Sequence, residues 1–360
     1  MLRLTAPLTP TALRQAFTEA IDPEMIRDHS HETVIYRRAL RMLASELDCA
    51  PTEEDVIRGR EGVEPAAHAN QLLKRSRTGL MILDHGFTGG DGMSQAEHSA
   101  AIEIPQREVI RLETAAEGVL ASCDSVAEWT ATVRSELRNA ISRGAVGVKT
   151  IAAYRAGIRL REPDQEAADA DFKALRARAA GGLPVRLEGE PLCHSLLLEA
   201  AKECCDLGVP LQVHCGFGDP DEDMQKANPL GLRRLFVGPQ YAGLKVVLLH
   251  CYPFHREAAY LASVFPGVHM DLSLAIPLAA EDGARALREA LGLCPTSKLL
   301  YATDATRFPE VYLVAAALHR EALARAFGEL VDGGWLTKQE AVKAGGQVLA
   351  GNARRIYKLP

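Results

Sequence analysis

Short apolar runs alternate with longer helical segments along most of this 360-residue chain. The apolar runs, rich in Val, Leu and Ile, are residues 79–84, 108–113, 145–150, 210–214, 245–250, 268–272 and 298–304. The segments between them, such as 125–143, 164–180, 191–207, 255–264 and 279–292, carry Ala, Leu, Glu and Arg at helical spacing. This alternation predicts a parallel sheet with helices outside it, in either a (β/α)8 barrel or a doubly wound sheet.

The residues that close the apolar runs favour the barrel. Nearly every run ends in a polar or ionisable residue, namely Asp84, Glu113, Lys149, His214, His250, Asp271 and Asp304. In a barrel all strands end at one mouth, where the chemistry lies, whereas a doubly wound sheet needs such residues only at its switch point. No GxGxxG or Walker loop follows any run. We therefore predict an α/β fold of the (β/α)8 TIM-barrel type over residues 76–360, with residues 1–75 as a mainly helical N-terminal segment packed on it.

Composition and charge exclude several classes of protein. The chain is 47% hydrophobic and 24% charged, which is ordinary for a globular protein. A net charge of -6 and the lack of a basic run interleaved with aromatics argue against a nucleic-acid partner. No apolar run reaches the roughly 18 to 20 residues of a membrane span, and residues 1–15 lack the apolar core of a signal peptide. We expect a cytoplasmic protein that binds a small molecule, and a homodimer is a reasonable assembly.

Three of the strand-end residues have the chemistry of a metal site. Imidazole suits zinc and related divalent ions, and a carboxylate adds a charged ligand, so His214, His250 and Asp304 are candidate ligands of one ion. An aspartate beside a metal-activated water can also accept its proton, which makes Asp304 the candidate general base. Lys149 is a further candidate, either carboxylated to bridge two metals or cationic and paired with a substrate carboxylate.

Several motifs carry a resemblance to a known family. QVHCGFGDPD, VVLLHCYPFHREAAYLASVFPGVHMDLSL, LLYATDA and the closing GNARRIYKL resemble the amidohydrolase superfamily. The branch they are most similar to is the amidohydrolase-2 group that includes the FluG and nodulin-like N-terminal domain, and AVGVKTIAAYRAGI looks like its fourth-strand motif. The resemblance covers roughly 75 to 360. It implies a (β/α)8 barrel that holds one or two divalent metals, usually zinc, and hydrolyses C–N or ester bonds.

The resemblance also implies roles for individual residues. His214 and His250 match the family's fifth- and sixth-strand metal histidines, and Asp304 matches the eighth-strand aspartate that binds metal and acts as general base. Lys149 matches the fourth-strand metal position. Tyr154 and Arg155 just beyond it look like substrate binders, because an arginine fork suits a carboxylate.

One feature departs from the family pattern. The family opens with an HxH pair at the end of its first strand, and the HxH here is His29-Ser30-His31 in PEMIRDHSHETVIYRRAL. Pro23, Glu24 and Arg27 make a poor buried strand, so we interpret this segment as a helical insertion. The two histidines would then lie at a helix N-terminus, with ligation as the alternative. We accordingly expect the first strand to be atypical or missing within residues 1–16.

Three functional hypotheses follow. The primary one is a metal-dependent amidohydrolase, most simply with zinc, that cleaves an amide-like C–N bond in a small acidic substrate. A decarboxylase on the same metal barrel is the second. A catalytically dead barrel that lacks the HxH pair is the third, and the intact His214, His250 and Asp304 argue against it.

Overall fold

The strands of the described residues form one parallel sheet. The computed structural model describes residues 7–86, 93–162 and 164–360. Within them the sheet has the order β1-β2-β3-β4-β5-β6, so each strand pairs with its successor in the chain. The strands are β1 (Met81–Asp84), β2 (Gln106–Arg111), β3 (Gly147–Thr150), β4 (Leu211–His214), β5 (Val246–Leu249) and β6 (Val268–Met270). A bridge between Met270 and Leu299 places the residues after 298 beside β6.

Helices connect successive strands and cover the outside of the sheet. The α-helices of the described residues are α1 (Pro10–Gln15), α2 (Val34–Leu47), α3 (Glu53–Arg60), α4 (Pro65–Arg75), α5 (Gln95–Ala101), α6 (Leu112–Gly118), α7 (Val126–Ser142), α8 (Gln165–Ala180), α9 (Glu190–Leu207), α10 (Arg233–Val237), α11 (His255–Val264), α12 (Ala275–Leu278), α13 (Glu281–Ala290), α14 (Pro309–Asp332), α15 (Lys338–Gly346) and α16 (Asn352–Ile356). Parallel strands in sequential order with helices outside form the TIM-type barrel that the sequence predicts. None of these helices combines the length and the apolar character that a membrane crossing requires.

The strands are apolar on both faces because both faces are covered. In β5, Val246 and Leu248 belong to the large core between the sheet and the helices. Val247 and Leu249 point the other way and pack inside the barrel with Tyr357 and other apolar residues. This inward and outward alternation is the normal period of a strand, and double burial explains why the runs read as nearly continuous apolar sequence.

Two of the predicted strands differ from the structure. The run 108–113 ends as a strand at Arg111, because Leu112 begins α6. Glu113 therefore does not lie at the mouth, and its buried carboxylate accepts hydrogen bonds from Thr150 Oγ1 and from the Ile151 amide at 3.1 Å. The run 298–304 forms only the bridge at Leu299. No strand precedes β1 in the part of the chain that the structure describes. Residues 298–304 therefore have no such strand to pair with on the side away from β6.

The N-terminal segment is helical where it is described. Residues 1–6 lie outside the described residues, so the prediction about a first strand can be compared only from residue 7 onward, where α1 is the first element. His29-Ser30-His31 spans a π-helical turn at Met25–His29 and a 3₁₀ turn at Ser30–Glu32, before Thr33 caps α2. This geometry is that of the helical insertion, not of a strand that ends in a metal-binding pair.

Hydrogen bonds join the C-terminal helix α16 to the segment around Leu299, which forms the bridge with β6. The side-chain amide of Asn352, at the start of α16, donates hydrogen bonds to the carbonyl oxygens of Thr296 at 2.7 Å and Leu299 at 2.8 Å. Asn352 is almost fully buried, at 1% exposure. Its loss would leave two carbonyl groups without these donors in a dry environment.

We predict that Asn352→Ala lowers the free energy of unfolding by about 2 to 3 kcal/mol, because two buried acceptors lose their partners. Chemical denaturation measures the change. Asn139→Ala, at an exposed position of α7, should stay within about 0.5 kcal/mol of the parent chain. An Asn352→Ala variant as stable as that control would show that the two hydrogen bonds add nothing.

Candidate functional site

One cavity gathers the predicted site residues. It has a volume of about 990 Å³ and is lined by the carboxyl ends of β1 to β5 and by the segment after Leu299. The residues predicted to bind metal or substrate all line it, namely Lys149, Tyr154, Arg155, His214, His250 and Asp304. Neither His29 nor His31 does. The topology thus brings together residues that are up to 155 positions apart in the chain, from Lys149 to Asp304.

The ring of His250 is held in one orientation by a short hydrogen-bond chain. Ser273 Oγ donates to Asp271 Oδ1 at 2.7 Å, so its single proton is used and the hydroxyl accepts from His250 Nδ1–H at 2.7 Å. This network assigns the tautomer in which Nε2 has a bare lone pair. Nε2 lies 3.7 Å from Asp304 Oδ2. Burial lowers the pKa of His250 to about 4, so the ring is neutral at physiological pH.

His214 packs against His250 and is also neutral. The two ring centroids are 4.5 Å apart, and Nε2 of His214 lies 2.9 Å from Glu222 Oε2. Burial, together with the nearby cation of Lys149, lowers the pKa of His214 to about 3. Two neutral imidazoles beside a carboxylate are a donor set that borderline ions such as zinc accept.

Two of the candidate ligands have a strained backbone. His250 has φ 67° and Asp304 has φ 50°, which is the left-handed region that non-glycine residues rarely occupy. Such strain costs on the order of 1 to 3 kcal/mol and persists where the surrounding structure enforces it, which is most often at functional sites.

Lys149 is engaged by a carboxylate at the neighbouring strand ends. Its Nζ lies 3.2 Å from Asp84 Oδ2, which also accepts from Arg111 Nε at 3.0 Å. Burial opposes ionisation of Asp84, but the charges of Lys149 and Arg111 prevail and lower its pKa to about 2. This contact is the ion pair expected of the cationic form of Lys149, and the carboxylated form stays a prediction.

Tyr154 and Arg155 follow β3 in a short 3₁₀ turn and cover the cavity beside His214. The Tyr154 ring centroid lies 4.5 Å from that of His214, and its hydroxyl accepts from the Asp219 amide at 3.3 Å. The Arg155 guanidinium is 3.8 Å from Glu117 Oε1, and its Nε is buried without a hydrogen-bond partner. A partly unsatisfied guanidinium in a cavity wall is suited to an anionic ligand.

Glu19 is a cavity residue that sequence reasoning missed. It comes from the segment after α1 and lines the cavity with Asp304, although no motif in FTEA marks it. Burial raises its pKa to about 7, and the negative charges of Asp304 and Asp219 add to the effect. Only the packing of the N-terminal segment over the mouth reveals it.

The carboxyl of Glu222 was also missed. Residues 219–223 look like a solvated acidic loop in the sequence, yet the Glu222 side chain is only 1% exposed. Its Oε1 is buried without a hydrogen-bond partner, and burial raises its pKa to about 8.

The described residues do not include a preformed metal cage. No three histidine, cysteine, aspartate or glutamate side chains among them are gathered into an ion-binding group. The bare Nε2 of His250 nevertheless faces the Asp304 carboxylate from a fixed ring, with His214 alongside. These residues fit a divalent ion by their chemistry. Fold and site together define a TIM-type barrel protein with a histidine and carboxylate centre at its mouth.

The comparisons with known proteins agree with this class. Residues 87–359 match the model of the Amidohydro_2 family, described as amidohydrolase. This chain belongs to that amidohydrolase family, as its motifs predict.

Similar proteins extend the comparison. Protein fluG of Emericella nidulans is 30% identical over 358 residues, which is 91% of this chain and 41% of that protein. The chain thus spans less than half the length of this curated relative. A Lactobacillus casei ATCC 334 protein designated a metal-dependent hydrolase is 30% identical, with a TM-score of 0.89 over 99% of this chain and 93% of that one. Uronate isomerase from Thermotoga maritima shares the fold, with a TM-score of 0.67 at 14% identity over 97% of this chain and 82% of that one.

We predict that the Glu19 carboxyl makes stability depend on pH. Its pKa is raised from 4.5 to about 7 on folding, so its stabilising effect is present below pH 4.5 and is lost as the pH rises through 7. Relative to Glu19→Gln, the parent chain should lose about 2 to 3 kcal/mol of unfolding free energy across this window.

Urea denaturation from pH 4.5 to pH 8 measures the difference. Glu24→Gln, which removes an exposed carboxyl of the same segment, serves as the control and should follow the parent curve. Parallel curves for the parent chain and Glu19→Gln would contradict the prediction.

Proposed function

We propose that this chain is a metal-dependent hydrolase that cleaves an amide-like C–N bond in a small acidic substrate. The observation that carries the proposal is the bare Nε2 of His250, fixed by Ser273 and facing the Asp304 carboxylate across 3.7 Å in the cavity. Membership of the amidohydrolase family and the designation of the Lactobacillus casei protein support it.

His214, His250 and Asp304 would hold the ion, with zinc as the first candidate. When bound, a divalent ion supplies Lewis-acid activation of water and polarises the scissile carbonyl. The neutral imidazoles need no deprotonation before they ligate, since burial already lowers both pKa values. Lys149 would join this ligand set if it is carboxylated, and in its cationic form it would keep its contact with Asp84. The first form would hold two ions and the second form one.

Asp304 would transfer the proton. Its carboxylate is a third exposed, at 34%, so a water in the cavity can reach it. It would accept the proton of the attacking water and return it to the leaving nitrogen, which is the general acid–base sequence for hydrolysis of an amide.

The cations of the cavity wall would select the substrate. Arg155 would bind a carboxylate of the substrate through its partly unsatisfied guanidinium, and Tyr154 would shape the pocket against His214. Lys149 and Arg111 add positive charge at the ends of β3 and β2, although Asp84 neutralises part of it.

The first test is the metal content of protein purified without chelators. We expect one or two equivalents of a divalent metal per chain, and amine release from amides and γ-glutamyl compounds. Carbon dioxide release in place of amine would favour a decarboxylase. A chain that takes up no metal after reconstitution and turns over no substrate would contradict the proposal and leave a binding or assembly role.

Asp304→Asn is expected to lower kcat/KM by about 10²- to 10⁴-fold, because it removes the proton acceptor. Asp332→Asn, an exposed aspartate at the end of α14, is the matched control and should retain the parent activity. Full activity in Asp304→Asn would remove the mechanism.

A further inference from the structure

Arg186 connects two sides of the cavity rim, although it lies in none of the motifs that predict the site. It comes from the irregular segment between α8 and α9 and lines the cavity. Its Nη2 donates hydrogen bonds to the Tyr154 carbonyl oxygen at 3.0 Å and to the Asp221 carboxylate. Its Nε lies 2.5 Å from Glu188 Oε1. The guanidinium therefore joins the turn after β3 to the loop after β4.

The bond to the Tyr154 carbonyl bears on the position of Arg155. The Tyr154 carbonyl and the Arg155 amide belong to one planar peptide group, which also contains the Cα from which the Arg155 side chain leaves. The Arg155 amide donates to the Ala152 carbonyl oxygen at 3.0 Å, while Arg186 holds the carbonyl end of the same group. Hydrogen bonds thus fix both ends of this plane.

The backbone that carries Arg186 is itself anchored. The next residue, Leu187, is 1% exposed, and its amide donates to Glu117 Oε1 at 2.7 Å. The same oxygen lies 3.8 Å from the Arg155 guanidinium. One carboxylate therefore contacts both the backbone beside Arg186 and the side chain of Arg155, which fixes the two arginines relative to each other.

The loop after β4 contacts Tyr154 at both ends of the residue. The Asp219 amide donates to the Tyr154 hydroxyl at 3.3 Å, and Asp221 accepts from the Arg186 guanidinium that holds the carbonyl. A Cβ at Gly218 would lie 1.9 Å from that hydroxyl, so the loop can approach the ring this closely only with glycine. The turn after β3 is therefore held from outside by this loop.

The two arginines differ in how their charges are matched. Asp221 and Glu188 both contact Arg186, whose side chain is 41% exposed at the rim. The Arg155 side chain is only 12% exposed, and its Nε is buried without a hydrogen-bond partner. Arg155 thus keeps a donor for an anion, whereas Arg186 is already engaged by protein groups.

We propose that Arg186 is a positioning residue for Arg155. Through the Tyr154 carbonyl it holds the peptide group from which Arg155 extends, and it thereby keeps the Arg155 guanidinium in the cavity wall with a donor available. The second half of this inference rests on the proposed function, because Arg155 there binds the carboxylate of the substrate.

The first test needs no ligand. Hydrogen–deuterium exchange followed by mass spectrometry measures how readily the turn opens, in peptides that cover residues 150–157. We expect exchange there to be about 10-fold faster in Arg186→Met, because the Tyr154 carbonyl loses its donor. Arg178→Met is the matched control, since Arg178 donates to the Pro184 carbonyl oxygen of the same segment at 3.1 Å but does not line the cavity. It should leave this exchange unchanged.

Ligand binding is the second readout. Glutarate serves as the acidic probe and glutaramide as a neutral probe of the same length, both measured by calorimetric titration. Arg186→Met should weaken the Kd of glutarate by about 10-fold and leave that of glutaramide within about twofold of the parent chain. Arg155→Met should lose at least as much glutarate affinity. The double variant should lose no more than Arg155→Met alone, because Arg186 acts through Arg155.

Turnover should separate binding from chemistry. With a γ-glutamyl amide as substrate, Arg186→Met should raise KM by about 10-fold and leave kcat within about threefold of the parent value. Arg178→Met should match the parent chain in both constants.

The readouts separate the failures. Equal exchange in the parent chain and in Arg186→Met would overturn the inference. Additive losses of glutarate affinity in the double variant would overturn it too, because Arg186 would then contact the ligand itself. Equal losses for glutarate and glutaramide would show a general disturbance of the cavity and would likewise overturn it.

Asp221→Ala repeats both measurements independently of the folding of Arg186→Met. The Asp221 side chain is 54% exposed, and its loss frees the guanidinium on the side of the β4 loop. We expect smaller changes in the same direction, and unchanged exchange and affinity would overturn the inference. A parent chain that hydrolyses no amide and binds no glutarate, but whose turn exchanges faster in Arg186→Met, would keep the positioning of the turn and refute the proposed function alone.

Discussion

A single carboxylate oxygen organises the mouth of this barrel. Asp271 Oδ1 accepts from the His250 amide, the Ser273 amide and the Ser273 hydroxyl, at 2.8, 3.0 and 2.7 Å. The first bond joins the end of β5 to the segment after β6, and the other two hold Ser273 against Asp271 within that segment. They hold the His250 backbone at its positive φ, and through the hydroxyl they also determine which nitrogen of the ring is bare. The position and the protonation of the histidine thus have one common cause.

The mouth of the barrel holds neutral, cationic and acidic groups. The two histidines are neutral because burial opposes their protonation. On the β1 to β3 side, the Asp84 carboxylate accepts from two cations and remains ionised in spite of its burial. Glu19, from the N-terminal segment, adds a further acidic side chain to the cavity that Asp304 lines. The cavity therefore combines a neutral donor set with cations and acidic groups, which can orient a polar substrate.

Local pattern was enough to predict the barrel and the positions of Lys149, His214, His250 and Asp304 at its mouth, because the end of a buried strand is visible in the sequence. Glu113 was misplaced because an apolar run cannot show where a strand gives way to a helix. Glu19 and Glu222 depend on how distant segments pack over the mouth. No local pattern contains that information, and for Glu222 the exposed aspartates on either side suggest the opposite environment.

The positive φ of His250 and Asp304 has an evolutionary consequence. At these two positions the backbone would be more relaxed with glycine, so the chemistry is maintained against the conformational preference of the chain. Selection for stability alone would erode the histidine and the aspartate together with the activity they support. Their joint persistence in a related sequence would thus be a sign of selection for catalysis, and their joint loss would mark a barrel that has been freed to become a more stable scaffold.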